Sequence, residues 1–233
     1  DLTATFEADG RTVRLTPMSG GGIEFDCGTP VIADAAHVRQ LDSRMEGQTF
    51  VNRWAFTKGD VTAEYEVRYR LHGLTLVVDV TCAGGAARGV RFGKVTGLSQ
   101  PRAYHVPYLK MGSVPDPLVA CGDGVFVGAI TDWRNSDYSR SDTEAKGVLE
   151  DGVSINEGTS YLPLTDGRRN DLRDRLLVTV SPDFHDLLPN IPNPPSPNLD
   201  EAARYVYVMS SGPNPNLWRI MKRYGMDDLI AMH

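Results

Sequence analysis

Two polar loops hold the side chains best suited to recognising a ligand. The first is Asp132-Trp133-Arg134-Asn135-Ser136-Asp137-Tyr138, which follows the apolar run Val125–Thr131. Trp and Tyr rings can stack on a pyranose face, and Asp, Asn and Arg can bond in pairs to neighbouring hydroxyls. Asp132, Trp133 and Arg134 are therefore the candidate saccharide contacts of this loop. A solvated surface loop with Trp133 packed inward as an anchor has the same composition. The second loop is Asp166-Gly167-Arg168-Arg169-Asn170-Asp171. Its adjacent Arg residues can clamp a carboxylate or a hydroxyl pair. They can equally pair with Asp171 and Asp174 in exposed ion pairs, each worth under ~1 kcal/mol.

Other constellations carry less. The histidines are His37, His72, His105, His185 and His233. His105, in Tyr104-His105-Val106-Pro107-Tyr108, is the one with an aromatic setting suited to acid–base work on a sugar, but no Glu can be assigned as its partner. Gly20-Gly21-Gly22 lacks the flanking strand and helix of a dinucleotide loop. There is no Gly-x-Ser-x-Gly elbow, HxH, HExxH or Asp-rich calcium loop. No metal and no cofactor is expected. Cys27, Cys82 and Cys121 form no CxxC pair, which leaves one bridge with one free thiol, or three thiols.

These loops must be positioned by β-structure. From Val61 to Leu71, the residues Val61, Ala63, Tyr65, Val67, Tyr69 and Leu71 alternate with Thr62, Glu64, Glu66, Arg68 and Arg70. Period-two alternation predicts a strand with one dry and one wet face. A turn at His72-Gly73 and a return strand Leu74–Val80 complete a hairpin. The wet face suggests an antiparallel sheet open to solvent or ligand on one side. Further strands are expected at Leu2–Glu7, Thr12–Thr16, Ile23–Asp26, Gly89–Lys94, Val125–Asp132 and Arg175–Val180. Breaks such as Asp123-Gly124, Asp151-Gly152 and Asp166-Gly167 separate them. The class is mainly β, a large sandwich or barrel.

Pro189, Pro192, Pro194, Pro195 and Pro197 mark a stiff linker over 189–198. The pattern then changes. Arg204–Ser210 reads as a strand buried on both faces. Asn214 caps a helix with Pro215 first, Leu217, Ile220, Met221 and Tyr224 share a face, and Gly225 ends it. Leu229-Ile230-Ala231-Met232 opens another strand. Strand, helix, strand is the opening of a parallel sheet whose later strands are expected downstream. The domains are therefore 1–188, a linker at 189–198, and 199–233 as the start of a second domain.

Of 233 residues, 41% are hydrophobic and 23% charged, enough to build a core without disulfide or metal staples. The net charge of −6 argues against nucleic acid and anionic membrane as partners, and the 19 Arg and 5 Lys form no basic run longer than two. No apolar run approaches the ~18 residues of a membrane span. The compartment stays open, with a secreted or periplasmic setting suspected.

This layout resembles that of glycoside hydrolases in which a galactose-mutarotase-like β-supersandwich and a linker precede a (β/α)8 barrel, as in α-galactosidases and endo-α-N-acetylgalactosaminidases. Three stretches carry the resemblance. They are Gly124–Val127 leading to Asp132–Ser136, Tyr161-Leu162-Pro163 leading to Thr165-Asp166-Gly167-Arg168-Arg169-Asn170, and Leu188–Pro194. The resemblance implies a mainly β supersandwich followed by a TIM-type barrel fragment. Its function would be non-catalytic: to shape or shield the barrel's substrate cleft and to bind carbohydrate. The partners implied are a glycan and the downstream catalytic barrel of the same chain. In such enzymes the catalytic carboxylates sit on later barrel strands, so none is assigned here. Ser210, Ser211 and His233 fall where the first two barrel strands would end, the side that faces substrate. Two other readings stand beside this one: a self-contained sugar epimerase using His105, and a structural module without ligand.

Overall fold

The computed structural model describes residues 2–7, 12–17, 22–26, 28–105, 118–141, 146–188 and 191. The chain divides into two compact units, Asp1–Ile191 and Pro192–His233. The expected strand–helix–strand segment, with Ser210, Ser211 and His233, lies outside the described residues, as does the linker apart from Ile191.

The described part is mainly β, with large antiparallel sheets. In chain order the strands are β1 (Leu2–Phe6), β2 (Thr12–Pro17), β3 (Ile23–Asp26), β4 (Thr29–Pro30), β5 (Ala36–Glu46), β6 (Thr49–Lys58), β7 (Val61–His72), β8 (Thr75–Cys82), β9 (Gly89–Arg91), β10 (Val95–Thr96), β11 (Arg102–His105), β12 (Leu118–Gly122), β13 (Val125–Thr131), β14 (Arg140–Ser141), β15 (Gly147–Leu149), β16 (Gly152–Ser154), β17 (Gly158–Ser160) and β18 (Leu172–Ser181). An eight-stranded sheet has the order β11-β12-β13-β18-β8-β7-β6-β5. A six-stranded sheet runs β1-β2-β3-β10-β16-β15, and a four-stranded sheet runs β14-β17-β9-β4. Residues of all three sheets share one hydrophobic core, a sandwich-like arrangement.

Strands β5 to β8 form a meander closed by three two-residue loops. The closing pairs are Glu46↔Thr49, Lys58↔Val61 and His72↔Thr75. Each loop begins with a glycine at positive φ: Gly47, Gly59 and Gly73. A positive φ at the first loop residue alone is the requirement of the type II′ hairpin turn, which matches the strand twist. The third loop is thus Gly73-Leu74, one residue later than the sequence pattern indicates, because the glycine must stand first.

The dry face of β7 is Tyr65, Val67 and Tyr69, all buried, and it pairs with Cys82, Val80 and Val78 of β8. Val61 and Leu71, at the two ends, are exposed. Alternation predicts the face of a residue, but burial also needs a covering layer. The same inner face takes Leu172, Leu176, Val178 and Val180 from β18. Phe6 of β1 meets Phe50 of β6 at 4.2 Å and Tyr69 at 5.0 Å between ring centroids, tying the six-stranded sheet to the eight-stranded one. The outer face is wet at one end only. At the other, Val77 and Leu177 are covered by Ile191, and the buried Thr75 and Thr179 hydroxyls bond to each other at 2.8 Å.

Leu176 is fully buried at the centre of the inner face. Leu176→Ala should cost about 2–5 kcal/mol, the usual range for a core leucine truncation. Urea denaturation measures this. A cost below about 1 kcal/mol would mean that Leu176 is not a core residue.

Candidate functional site

The first polar loop joins β13 to β14 and opens with a short 3-10 turn, Trp133–Asn135. Asp132 is its N-cap. One carboxylate oxygen accepts the Arg134 N–H at 3.2 Å, and the other accepts the Asn135 amide at 2.6 Å. The Ser136 hydroxyl donates to the Asp132 carbonyl and accepts the Arg175 N–H. The loop is therefore stitched to the edge of β18 through both backbone and side chain.

Beneath it lies a charged row on the outer face. Arg175 Nε donates to Asp79 Oδ1 at 2.5 Å and Nη2 to Oδ2 at 3.2 Å, a bidentate pair across β18 and β8. Arg175 Nη1 stands 3.9 Å from Asp132 Oδ2. Their side chains are only 16%, 25% and 9% exposed for Arg175, Asp79 and Asp132, so this pairing is far less solvated than an ordinary surface bridge. One row along, Arg173 forks onto Asp137 at 2.8 and 2.9 Å. The loop is thus pinned at both ends, Asp132 to Arg175 and Asp137 to Arg173, with Arg134 exposed between them.

Past Arg173 the outer face opens into a groove of about 370 Å3 at the ends of β8 and β18. Its walls include Arg53, Glu64, Glu66 and Asp171. Arg53 pairs with Glu64 at 2.6 Å and Arg68 with Glu66 at 3.0 Å. Arg68 also meets Glu46, which Arg44 holds from its other side. Hydrogen bonds from Arg68 and then Arg44 keep the Glu46 carboxyl below its ordinary range.

Position alternates fate along β18. Arg173 and Arg175 face outward, while Asp174 between them faces the core and is 1% exposed. Its carboxylate accepts from the Thr159 and Tyr161 hydroxyls, the latter at 2.8 Å. Thr159 in turn accepts the Val90 N–H, and Tyr161 accepts the Arg173 N–H. One buried carboxyl thereby links the four-stranded sheet and the segment after β17 to the eight-stranded sheet. Burial pushes the Asp174 carboxyl above its ordinary range, against the hydrogen bonds from Thr159 and Tyr161.

Among the other sequence candidates, Trp133 takes the first position of the 3-10 turn. His105 ends the edge strand β11, paired with Leu118, and is exposed. In the second loop, Arg168 Nε bonds Asp166 at 2.7 Å, Arg169 donates to the Tyr161 carbonyl, and Asp171 accepts the Gly84 N–H. These groups hold the loop against the Gly84-Gly85 turn. Cys82 and Cys121 are free thiols, and Cys27 lies outside the described residues. Burial pushes the Cys82 thiol up to about 11, so it is a packed and unreactive side chain. Sequence reasoning did not single out Asp79 or Arg175. Their signal is charge within a strand that is otherwise largely apolar: Asp79 alone in Thr75–Cys82, and Arg175 at the end of Arg173-Asp174-Arg175 in Leu172–Ser181. Among the described residues there is no cluster suited to a metal ion, and no helix is long and apolar enough to cross a membrane. No family model matches the chain, and no curated protein matches it.

The geometry makes two measurable demands. Asp174 has a raised folded-state pKa, so the folded protein holds that proton more tightly than the unfolded chain. Stability must then fall as pH rises from the ordinary Asp value of ~3.9 through the raised one. Asp174→Asn should flatten this part of a stability–pH profile measured by urea denaturation, and an unchanged slope would assign it to other groups. Arg175→Met should destabilise by about 2–3 kcal/mol, because it strands Asp79 and Asp132 in a partly buried site. Adding Asp79→Asn should recover part of that loss in a double-mutant cycle. Full additivity would show that the pair does not interact.

Proposed function

We propose that this chain contributes the non-catalytic β-sandwich of a carbohydrate-active enzyme, a galactose-mutarotase-like supersandwich. In this reading it shapes or shields the substrate cleft of a downstream (β/α)8 barrel in the same chain. It contacts glycan through the Asp132–Asp137 loop. The observation that carries the reading is the pinning of that loop. The Asp132 and Asp137 N–H groups donate to the Arg175 and Arg173 carbonyls of β18 at 2.8 and 2.9 Å, and Arg173 forks onto the Asp137 carboxylate, so the loop backbone is fixed before any ligand arrives. A fixed loop carrying Trp133 and Arg134 loses little entropy on binding a flexible saccharide.

The carboxylates around the loop and groove support a binding role over a catalytic one. Glu64, Glu66, Asp79 and Asp137 are each engaged by an arginine and so committed to holding sheet and loop. The carboxyl with a raised pKa, Asp174, is sealed in the core, where it cannot reach a glycosidic oxygen. On this reading Ser210, Ser211 and His233, which lie outside the described residues, are the substrate contacts expected of the barrel itself.

Glycan-array screening of the full chain, followed by calorimetry on any hit, tests the proposal. Trp133→Ala should weaken binding by about 0.5–1.5 kcal/mol beyond area burial, the worth of a stacking ring. Arg134→Ala should weaken it as well, while Arg168→Ala should not. Retention of full affinity by both loop variants, or no saccharide bound at millimolar concentration, would reject the loop as a glycan contact.

A further inference from the structure

The groove past Arg173 is made by a contrast in side-chain length. The register lines up Arg53, Glu66, Thr81 and Arg173 in one outer-face row across β6, β7, β8 and β18. In the next row Ala83 stands between Glu64 and Asp171. Thr81 and Ala83 are short and exposed, so they form a floor between long charged walls. Neighbouring strands lie about 4.8 Å apart, which sets the two walls about 9–10 Å apart at the backbone. The volume of about 370 Å3 falls at the small end of ligand clefts, ~300–1,000 Å3, and suits a single sugar residue.

The polar groups of this trough are held in place and still have bonding capacity. Glu66 accepts from Arg68 through Oε1, Glu64 from Arg53 through Oε2, and Asp171 from the Gly84 N–H through Oδ1. Their other carboxylate oxygens accept nothing from the described residues. Arg173 gives Nε and Nη2 to Asp137 and keeps Nη1. The Thr81 hydroxyl on the floor makes no hydrogen bond among the described residues. Acceptors and donors thus alternate around one space, which suits hydroxyl groups, since each both donates and accepts. Each wall group is oriented by the bond it already makes, so little ordering is left for a ligand to impose. The walls are also close to charge balance. Arg53 offsets Glu64, Arg68 offsets Glu66 and Asp137 offsets Arg173, so the field favours a neutral ligand over an ion.

Arg173 connects this trough to the first polar loop. The Asp137 N–H meets the Arg173 carbonyl on the β13 side of β18, and the trough lies on the β8 side. We infer that the trough over Thr81 and Ala83 is a second saccharide subsite, which takes the sugar residue next to the one at the Asp132–Asp137 loop. The inference rests on the glycan reading of that loop and adds the extent of the ligand, which is at least a disaccharide. Thr81 and the free oxygen of Glu66 are its specificity-determining contacts, and the methyl groups of Thr81 and Ala83 meet the C–H face of the ring.

Calorimetry of the full chain with galactose, melibiose and lactose at millimolar concentration tests this. At least one disaccharide should bind about fivefold or more tighter than galactose. Thr81→Val and Glu66→Gln should each weaken that disaccharide about three- to tenfold, the worth of one hydrogen bond, and leave galactose unchanged. Thr81→Ser should bind like the parent. Trp133→Ala should weaken galactose and the disaccharide alike. Equal affinity for all three sugars, or groove variants without effect while Trp133→Ala weakens binding, overturns the second subsite and leaves the loop reading standing. Loss of binding in the groove variants alone, with Trp133→Ala silent, overturns the loop contact and with it the shared ligand. No binding of any of the three sugars overturns both.

Discussion

The ladder between β8 and β18 is the constraint on which the rest depends. It pairs Leu172↔Cys82 through Thr179↔Thr75, joining residues about a hundred positions apart at the centre of the eight-stranded sheet. Such a pairing is entropically expensive to find and must be held by what it buries. Leu172, Leu176, Val178 and Val180 supply that burial on one face. A slip of one residue would turn them to solvent and drive Arg173 and Arg175 into the core. The register is therefore fixed by hydrophobic burial, and everything polar in the site inherits its position from it.

With the register set, three consecutive residues of β18 do different work. Arg173 and Arg175 reach outward and hold the two ends of the Asp132–Asp137 loop, while Asp174 reaches inward to Thr159 and Tyr161. Arg175 and Asp79 are largely shielded, where a bidentate guanidinium–carboxylate contact is stronger than a solvated bridge without the full cost of burying two charges, whereas the fork of Arg173 onto Asp137 is exposed. The inward carboxyl is shut away from water, so its hydrogen bonds must be complete. One strand thus fixes both the junction of the sheets and the Asp132–Asp137 loop. That is why the proposed binding role rests on a rigid element and not on a mobile one.

The parts of this fold legible in the sequence are those where burial follows local pattern. The alternation of β7, the bounds of β3 and the β-rich class are plain from residue order. The long strands β5 and β6 escape such reading. β5 is an edge strand with irregular register and mostly exposed side chains, so it shows no dry face. In β6 burial comes in pairs, with Asn52 and Phe56 buried on the inner face and Val51 and Ala55 on the outer, which hides the period of two. The polar loop at Asp132 stood out by composition. That its carboxylate caps a turn and meets Arg175 depends on a partner more than forty residues away. Asp79 is further still from Arg175, and only the sheet register brings the two together.

An engineered disulfide tests the register directly. Thr75 and Thr179 are paired across β8 and β18 with their hydroxyls in contact. Since His72↔Thr75 closes the neighbouring hairpin, Thr75↔Thr179 is a non-hydrogen-bonded pair, the closer of the two kinds and the better suited to a disulfide. Thr75→Cys with Thr179→Cys should form an intramolecular bridge under mild oxidation, seen by peptide mapping, and Thr75→Cys with Val178→Cys should not. A bridge in the second variant but not the first would mean that β18 sits one residue out of place. Leu176 and Arg175 would then exchange faces, and the anchoring of the loop would have no basis.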